Sequence, residues 1–236
     1  VDGTHDLLRA CEAVPTLERF VFFSSVAVYQ NQFNQTEWPI HESHALRTDG
    51  GDDLADYGMS KIAGENLVRH YGKKLGIEHA ILRFALVYGV GDPLVDPMLR
   101  ENAPDPAFGQ GPQAVRPRQF VHLRDAVDAI QRACFMPEAR NETFNVAGPD
   151  VITYREMGKM TRIAMGNPIH EDEIPDTERQ WRRYLQQYDL ERARDRLSFR
   201  PSVFFSEGLR EILDYYAELS DAADEAGPSL AEADLA

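Results

Sequence analysis

Lysine is the scarcest charged residue in this chain, and positive charge is in short supply overall. Only four of the 236 residues are lysine, and 25 basic residues against 39 acidic ones leave a formal net charge of −14. Phosphate backbones require a basic protein surface, so this balance excludes nucleic acid as an expected partner.

Long apolar runs, paired cysteines and metal-ligand spacings are also missing. No apolar stretch approaches the ~20 residues that span a bilayer, which predicts a soluble, cytoplasmic protein with no membrane partner. Cys11 and Cys134 lie far apart and are expected to be free thiols in a reducing compartment. His41 and His44 are three residues apart with no cysteine nearby, so we expect no metal site.

A glycine-rich turn for a dinucleotide pyrophosphate is absent as well. Gly89-Val90-Gly91 follows a strand pattern, but Asp92-Pro93 comes next. Gly109-Gln110-Gly111 is followed by a proline and no helical pattern. Neither stretch fits the three-glycine fingerprint that opens a helix after a strand.

What the sequence does contain is a pair of polar stretches. An apolar run from Phe20 leads into Ser24-Ser25, which is typical of a buried strand ending in a hydroxyl-rich turn. Tyr57 and Lys61 are four residues apart in a helical pattern and so share one face. A nearby ammonium favours a phenolate and lowers a tyrosine pKa from about 10. Tyr57 is therefore a candidate general base, and Ser25 is a candidate to hold the same alcohol oxygen. The spacing alone is also typical of ordinary surface helices.

Four blocks occur in a fixed order along the chain. They are residues 20–29, Tyr57-x-x-x-Lys61, residues 81–89 (Ile-Leu-Arg-Phe-Ala-Leu-Val-Tyr-Gly) and residues 118–125 (Arg-Gln-Phe-Val-His-Leu-Arg-Asp). Together they resemble the extended short-chain dehydrogenase/reductase family, in its NAD-dependent sugar epimerase/dehydratase branch, over roughly residues 1–216. The resemblance implies an α/β fold. It would be a Rossmann-type doubly wound parallel sheet, of which the C-terminal half is present, with a smaller mixed C-terminal substrate domain. The family's first strands and glycine-rich turn would then lie upstream of Val1.

The resemblance also implies roles for individual residues around a bound NAD. Tyr57 would be the catalytic base, Lys61 would hold the nicotinamide ribose and tune Tyr57, and Ser25 would position the reacting hydroxyl. Ser24 and the backbone around Phe84 and Ala85 would line the nicotinamide. NADP is not excluded, because the residue that separates the two cofactors would lie upstream.

Two further positions bear on the substrate. Arg118 matches a family arginine that contacts the substrate diphosphate, and a guanidinium fork suits phosphate. An equally weighted alternative makes Arg118 a surface residue paired with Asp125 or a neighbour. Leu86 stands where the family commonly has a substrate-binding asparagine, so the ligand there could be less polar than a nucleotide sugar. His122 and Asp125 are expected to be structural, with Asp125 as a helix cap.

The residues after Ser25 narrow the reaction that the resemblance implies. Sugar dehydratases and decarboxylases of the family carry acids where Val26 and Ala27 stand here. We therefore expect a UDP-glucose 4-epimerase-like enzyme, an isomerase that oxidises a nucleotide sugar transiently to a keto-sugar and returns the hydride. Two alternatives remain. One is an NAD(P)-dependent reductase of a non-sugar carbonyl, motivated by Leu86, and the other is a non-catalytic nucleotide-binding member, motivated by the missing glycine-rich turn.

The resemblance also divides the chain into a partial dinucleotide-binding part and a substrate-binding part. The first comprises residues 1–91 and 118–150, the second residues 92–117 and 151–219, and residues 220–236 form an acidic tail that we predict to be disordered. We predict strands at 19–24, 77–88, 118–123 and 143–146, and helices at 4–13, 53–75, from 125, from 153, within 176–197 and at 205–219. A second apolar line on the 53–75 helix is formed by Ile62, Ala63, Leu67 and His70. Members of the family often pair through this helix, so the resemblance implies a homodimer through this line; the alternative is that these residues only cover the sheet.

Overall fold

The computed structural model describes residues 1–29, 39–48, 55–92, 117–166 and 187–226. The strands in these ranges are β1 (Arg19–Ser25), β2 (Glu78–Phe84), β3 (Leu86–Tyr88), β4 (Pro117–His122), β5 (Glu142–Val146) and β6 (Val151–Thr153). The helices are α1 (Asp2–Ala10), α2 (Ala55–Leu75), α3 (Leu123–Phe135), α4 (Tyr154–Ala164), α5 (Glu191–Leu197) and α6 (Phe205–Ala226). Short 3₁₀ turns lie at Cys11–Ala13, Val26–Val28 and Pro137–Ala139.

The central sheet is parallel, in the order β1-β2-β5. Its middle strand is apolar and fully buried at Ala80, Ile81 and Leu82, as a parallel strand covered on both faces requires. One cluster packs α1 and α2 residues against the sheet, and another includes residues of α3 and α5. These observations confirm the predicted α/β class. Within the described ranges, no strand pairs with the other side of β1.

A second small sheet begins where the predicted strand 77–88 divides. The amide of Ala85 donates to the carbonyl of Val146 (2.9 Å), and this contact ends β2. The chain then continues as β3 in a different sheet of order β3-β4-β6. The prediction of one continuous strand was therefore wrong, because the apolar pattern runs unbroken through a change of sheet. β6 pairs antiparallel with β4 and was not predicted.

The helix boundaries follow local signals for the most part. Gly76 ends α2 with a φ of +69°, a backbone conformation that glycine adopts without strain. The predicted capping box of Thr153 and Glu156 is present at the start of α4. α6 continues to Ala226, past the predicted end of this helix at residue 219, and the disorder predicted for the acidic tail stays a prediction. Alanine-rich sequence has high helix propensity even when it is acidic.

Several predictions fall outside the described residues. They concern residues 93–116, which were assigned to the substrate-binding part, and residues 53–54 at the start of the second predicted helix. They also concern residues 176–186 of the helix predicted within 176–197, and residues 227–236 of the tail.

Candidate active site

The three predicted catalytic residues come from two neighbouring elements. Ser25 ends β1, and Tyr57 and Lys61 lie in the first two turns of α2. Ser25 is paired in register with Phe84 at the end of β2, and Phe84 with Val146 of β5. All three strands therefore end at one edge of the sheet, where open α/β sheets bind ligands.

Ser25 sits at the point where the strand becomes a 3₁₀ turn. Its backbone is extended (φ −144°, ψ 152°), and its hydroxyl oxygen accepts a hydrogen bond from the amide of Ala27 at 3.2 Å. A serine in this position caps the turn as it would cap a helix. The hydroxyl proton stays available to a ligand, because the contact with Ala27 uses only an oxygen lone pair.

Lys61 and Tyr57 are brought together on one face of α2. The Lys61 ammonium lies 5.6 Å from the centroid of the Tyr57 ring and donates a hydrogen bond to the carbonyl of Phe23 at 2.8 Å. Partial burial lowers the pKa of Lys61, since desolvation disfavours the charged form. Lys61 and Tyr57 therefore lie side by side, as their four-residue spacing predicted, while the roles that the resemblance implies for them stay predictions.

The first turn of α2 approaches the Ser25 turn closely because residue 58 is glycine. A Cβ built on Gly58 would lie 2.4 Å from the carbonyl oxygen of Ala27 and 3.0 Å from Nε of Arg47. Any side chain here would push the start of α2 away from the turn that follows β1. Gly58 is therefore the residue that lets Tyr57 and Ser25 share one site.

The Tyr57 side of the site is open to solvent. Tyr57 is 48% exposed, and Ser25 is half-buried. Phe84 and Ala85, predicted to line the nicotinamide, are buried at 8% and 5% exposure. Their contact with the nicotinamide stays a prediction.

Ser24 has a different environment from Ser25. It is 4% exposed, and its hydroxyl donates to Oε1 of Glu65 at 2.6 Å. The hydroxyl is thus engaged in the protein interior, while its predicted contact with the nicotinamide stays a prediction.

Glu65 and Arg83 form a buried ion pair that sequence reasoning missed. Their side chains are 0% and 3% exposed, and the Arg83 guanidinium donates to both Glu65 oxygens at 2.9 and 2.8 Å. Burial by itself raises the pKa of Glu65, but the hydrogen bonds and charge of Arg83, with help from Ser24 and Arg69, lower it overall. For Glu65 the sequence offered one signal, its spacing, since residue 65 continues the line of residues 57 and 61 along α2.

A second buried carboxylate lies in the segment 39–48. The Glu42 side chain is 5% exposed, and it accepts a hydrogen bond from the amide of Asn145 at 2.8 Å. Burial raises the pKa of Glu42. Asn145, itself fully buried, also accepts from the Tyr29 hydroxyl and donates to the carbonyl of Ile40. These hydrogen bonds hold the segment 39–48 against the end of β5.

The predicted substrate residues lie on the second sheet. The Arg118 guanidinium stacks 4.4 Å from the centroid of the Tyr154 ring. The Asp125 carboxylate accepts hydrogen bonds from the amides of Ser202 and Val203. Leu86 is half-buried in β3.

The cap of α3 is His122, whose Nδ1 accepts from the amide of Arg124, so the prediction of Asp125 as the cap was wrong. Asp125 comes too late in the helix and reaches across to a separate segment instead.

The described ranges contain no candidate metal site and no candidate membrane-spanning helix. No group of three or more histidine, cysteine or acidic residues there could hold a metal ion. None of the helices in those ranges is long and apolar enough to cross a membrane.

Comparison with known proteins supplies relatives at low identity. A protein of Methanocaldococcus jannaschii assigned as a UDP-glucose 4-epimerase is 27% identical over 209 residues, covering 84% of this chain and 63% of its own length. The dTDP-glucose 4,6-dehydratase of Streptomyces niveus is 26% identical over 226 residues, covering 92% and 62%. The chain thus spans less than two thirds of either relative.

Solved structures share the fold. The UDP-glucuronic acid 4-epimerase of Bacillus cereus, in complex with UDP-glucuronic acid and NAD, superposes with a TM-score of 0.69 at 24% identity. The superposition covers 92% of this chain and 66% of that one. The model of the NAD dependent epimerase/dehydratase family matches residues 1–147. Because that match takes in more than half of the chain, the protein belongs to the NAD dependent epimerase/dehydratase family.

Proposed function

We propose that this chain carries the catalytic residues of an NAD-dependent nucleotide-sugar 4-epimerase. The observation that supports it most directly is the grouping of Ser25, Tyr57 and Lys61 at one edge of the sheet. Relatives that carry 4-epimerase names, and a neighbour structure that holds both NAD and a UDP-sugar, support the substrate class.

The residues present fit the nicotinamide end of NAD. The Lys61 ammonium donates one hydrogen bond to the carbonyl of Phe23, next to a half-exposed Tyr57 ring. An ammonium has three donors, so Lys61 would also hold a ribose hydroxyl of the cofactor. In the stretch that follows β3, the amide of Asp92 donates to the carbonyl of Gly89 (3.2 Å), which closes a turn around Gly89-Val90-Gly91. When bound, NAD supplies hydride acceptance and hydride return.

The protein's own part in the reaction is proton transfer at one hydroxyl. Tyr57 takes the proton from the sugar hydroxyl and gives it back to the same oxygen after the sugar carbon has been inverted. Ser25 holds that oxygen through its hydroxyl, and the Lys61 ammonium lies beside the Tyr57 phenolate that accepts the proton in the first transfer and is regenerated by the second.

Dehydration is disfavoured by the turn that follows Ser25. Loss of water from the sugar needs its own acid and base, but Val26 and Ala27 are apolar and buried at 8% and 3% exposure. The positions where dehydratases of the family carry acids thus belong to the core in this chain. Apolar residues at these two positions favour epimerisation over dehydration, although the epimerase and dehydratase relatives are about equally similar in sequence.

The test is to incubate the full-length protein with UDP-glucose and a catalytic amount of NAD, and to follow UDP-galactose by chromatography and NADH by absorbance. We expect interconversion without net NADH. Tyr57→Phe should lower turnover by ~10² or more, the usual scale for a lost general base. Tyr215→Phe, at an exposed tyrosine of α6, is the matched control and should leave turnover unchanged.

A second candidate function rests on Leu86. Its apolar, half-buried side chain occupies β3 where the resemblance places a substrate-binding asparagine, and this favours a less polar carbonyl substrate. A reductase of that kind would oxidise or reduce the cofactor in stoichiometric amounts. Net NADH formation with an alcohol substrate, and no epimerisation of UDP-sugars, would favour this function over the first.

A further inference from the structure

The carboxylate of Glu65, in the protein interior near the active site, has both of its oxygens fully occupied by hydrogen bonds. Each oxygen of Glu65 accepts two hydrogen bonds. Oε1 accepts from the Ser24 hydroxyl and the Arg83 guanidinium, and Oε2 accepts from Arg83 and Arg69, at 2.6 to 3.0 Å. Burying an ion pair costs desolvation that packed apolar side chains would avoid. The arrangement therefore calls for a role beyond filling the core.

Two polar contacts set the register of α2 against the end of β1. Lys61 donates to the carbonyl of Phe23, and one helical turn later Glu65 accepts from the hydroxyl of Ser24. Phe23 and Ser24, which are consecutive in β1, thus form hydrogen bonds with Lys61 and Glu65, which are four residues apart on α2. A slide or rotation of α2 would break both contacts, and would move Tyr57 relative to Ser25.

The Glu65 carboxylate is in turn fixed from the neighbouring strand. Arg83 of β2 donates two parallel hydrogen bonds to the Glu65 carboxylate, and this geometry constrains the orientation of the carboxylate as well as its distance from β2. The same guanidinium donates to the Tyr29 hydroxyl (3.1 Å) and to the carbonyl of Glu42 (2.9 Å). The position of Glu65 is therefore tied to the sheet and to the segment 39–48 at once.

We propose that Glu65 is a positioning residue that acts through Ser24: it holds the end of β1 and the face of α2 so that Ser25 and Tyr57 meet the same substrate oxygen. This inference rests on the proposed function for its kinetic consequences. Glu65 takes no part in proton transfer, because its carboxylate is fully buried and both oxygens are occupied.

The test compares two variants that each remove one hydrogen bond from the same carboxylate. Ser24→Ala removes the link to the catalytic strand, whereas Arg69→Gln, the matched control, removes the partner whose guanidinium bridges Glu65 and Thr143 of β5. We expect Ser24→Ala to lower kcat about tenfold or more, within the ~10² that a displacement of about 1 Å can cost, with KM and NAD affinity unchanged. Arg69→Gln should leave kcat near that of the parent.

A second readout needs no substrate. Hydrogen exchange of the full chain should show faster exchange at residues 25–28 in Ser24→Ala and not in Arg69→Gln. If the parent does not act on nucleotide sugars, the proposed function fails and this comparison still decides the positioning role. Equal exchange in both variants, equal kcat loss in both, or a loss of NAD affinity with kcat intact would each overturn the proposal. The last of these would make Ser24 a cofactor contact.

Discussion

The contact between α2 and the Ser25 turn can be tested by adding a single methyl group at Gly58. In Gly58→Ala the new Cβ would lie 2.4 Å from the carbonyl oxygen of Ala27, about 1 Å short of ordinary contact. The opposing atom belongs to the backbone, so a side-chain rotation cannot relieve the clash. The start of α2, which carries Tyr57, is expected to shift by about that distance.

The expected effects on stability and on activity differ in size. Overpacking costs about 1–3 kcal/mol, and alanine in a helix recovers roughly 1 kcal/mol relative to glycine, so the net loss of unfolding free energy should stay below about 2 kcal/mol. A misplacement of ~1 Å can cost ~10² in rate. Gly58→Ala should therefore lose far more activity than stability.

Urea denaturation and the epimerisation assay measure these two quantities. Gly3→Ala in α1 is the matched control, because a Cβ at Gly3 meets nothing within 4 Å. It should raise stability by about 0.5–1 kcal/mol and leave activity unchanged. A Gly58→Ala protein with nearly parental kcat would refute the argument that this glycine sets the distance between Tyr57 and Ser25.

Three further predictions concern other parts of the molecule. Burial raises the pKa of Glu42 above 4.5, so the folded protein holds the proton of this carboxyl more tightly than the unfolded chain does. The free energy of unfolding therefore falls as pH rises through the pKa of Glu42 in the folded protein. Glu42→Gln should flatten this fall in thermal melts between pH 4.5 and 8. Asp125→Ala leaves the amides of Ser202 and Val203 unpaired and should cost about 3 kcal/mol by urea denaturation, while Asp128→Ala on the same helix should cost under about 1 kcal/mol, since its pair with Arg132 is partly exposed. The apolar line on α2 predicts a two-fold dimer at micromolar concentration, and a monomer by light scattering would contradict it.

Local patterns were enough to predict the elements that carry the proposed chemistry. The apolar run before Ser25 and the four-residue spacing of Tyr57 and Lys61 depend only on strand and helix periodicity. The structure accordingly shows a parallel strand ending at Ser25 and both other residues on one face of α2. The same patterns failed at Ala85, where an unbroken apolar run crosses from one sheet to another.

The Glu65–Arg83 pair could not be predicted in this way. Charged residues are almost never fully buried unless they are paired, so a lone glutamate in a helical pattern predicts a solvent-facing position. The two partners are 18 residues apart on different elements, and their meeting depends on how α2 packs on the sheet. Arg83 did give a weak signal, since it interrupts an apolar run within a strand that is buried on both faces.

A final prediction concerns the apolar turn after Ser25, which we used to argue against dehydration. If the acids of dehydratases were the only missing feature, Ala27→Glu would move the chain toward that reaction. Ala27 is 3% exposed, and its carbonyl is already bonded to Nε of Arg47. A carboxylate introduced there would be desolvated. Burial can raise a glutamate pKa by about 3–5 units in fully buried sites. At neutral pH this shift costs about 3–4 kcal/mol, because the carboxyl then stays protonated in the folded protein and the loss is set by the distance between the pH and the unfolded pKa of about 4.3.

We therefore expect Ala27→Glu to lose stability and gain no dehydratase activity. The loss should be larger at pH 8 than at pH 5, because a glutamate whose folded pKa is raised destabilises the protein as pH rises through that value. Ala27→Gln has nearly the same volume and no charge, so its stability loss should not change with pH. Thermal melts of both variants at the two pH values separate charge from volume. An Ala27→Glu protein as stable as the parent at pH 8 would show that the turn can accommodate an acid, and the argument against dehydration would then lose its structural basis.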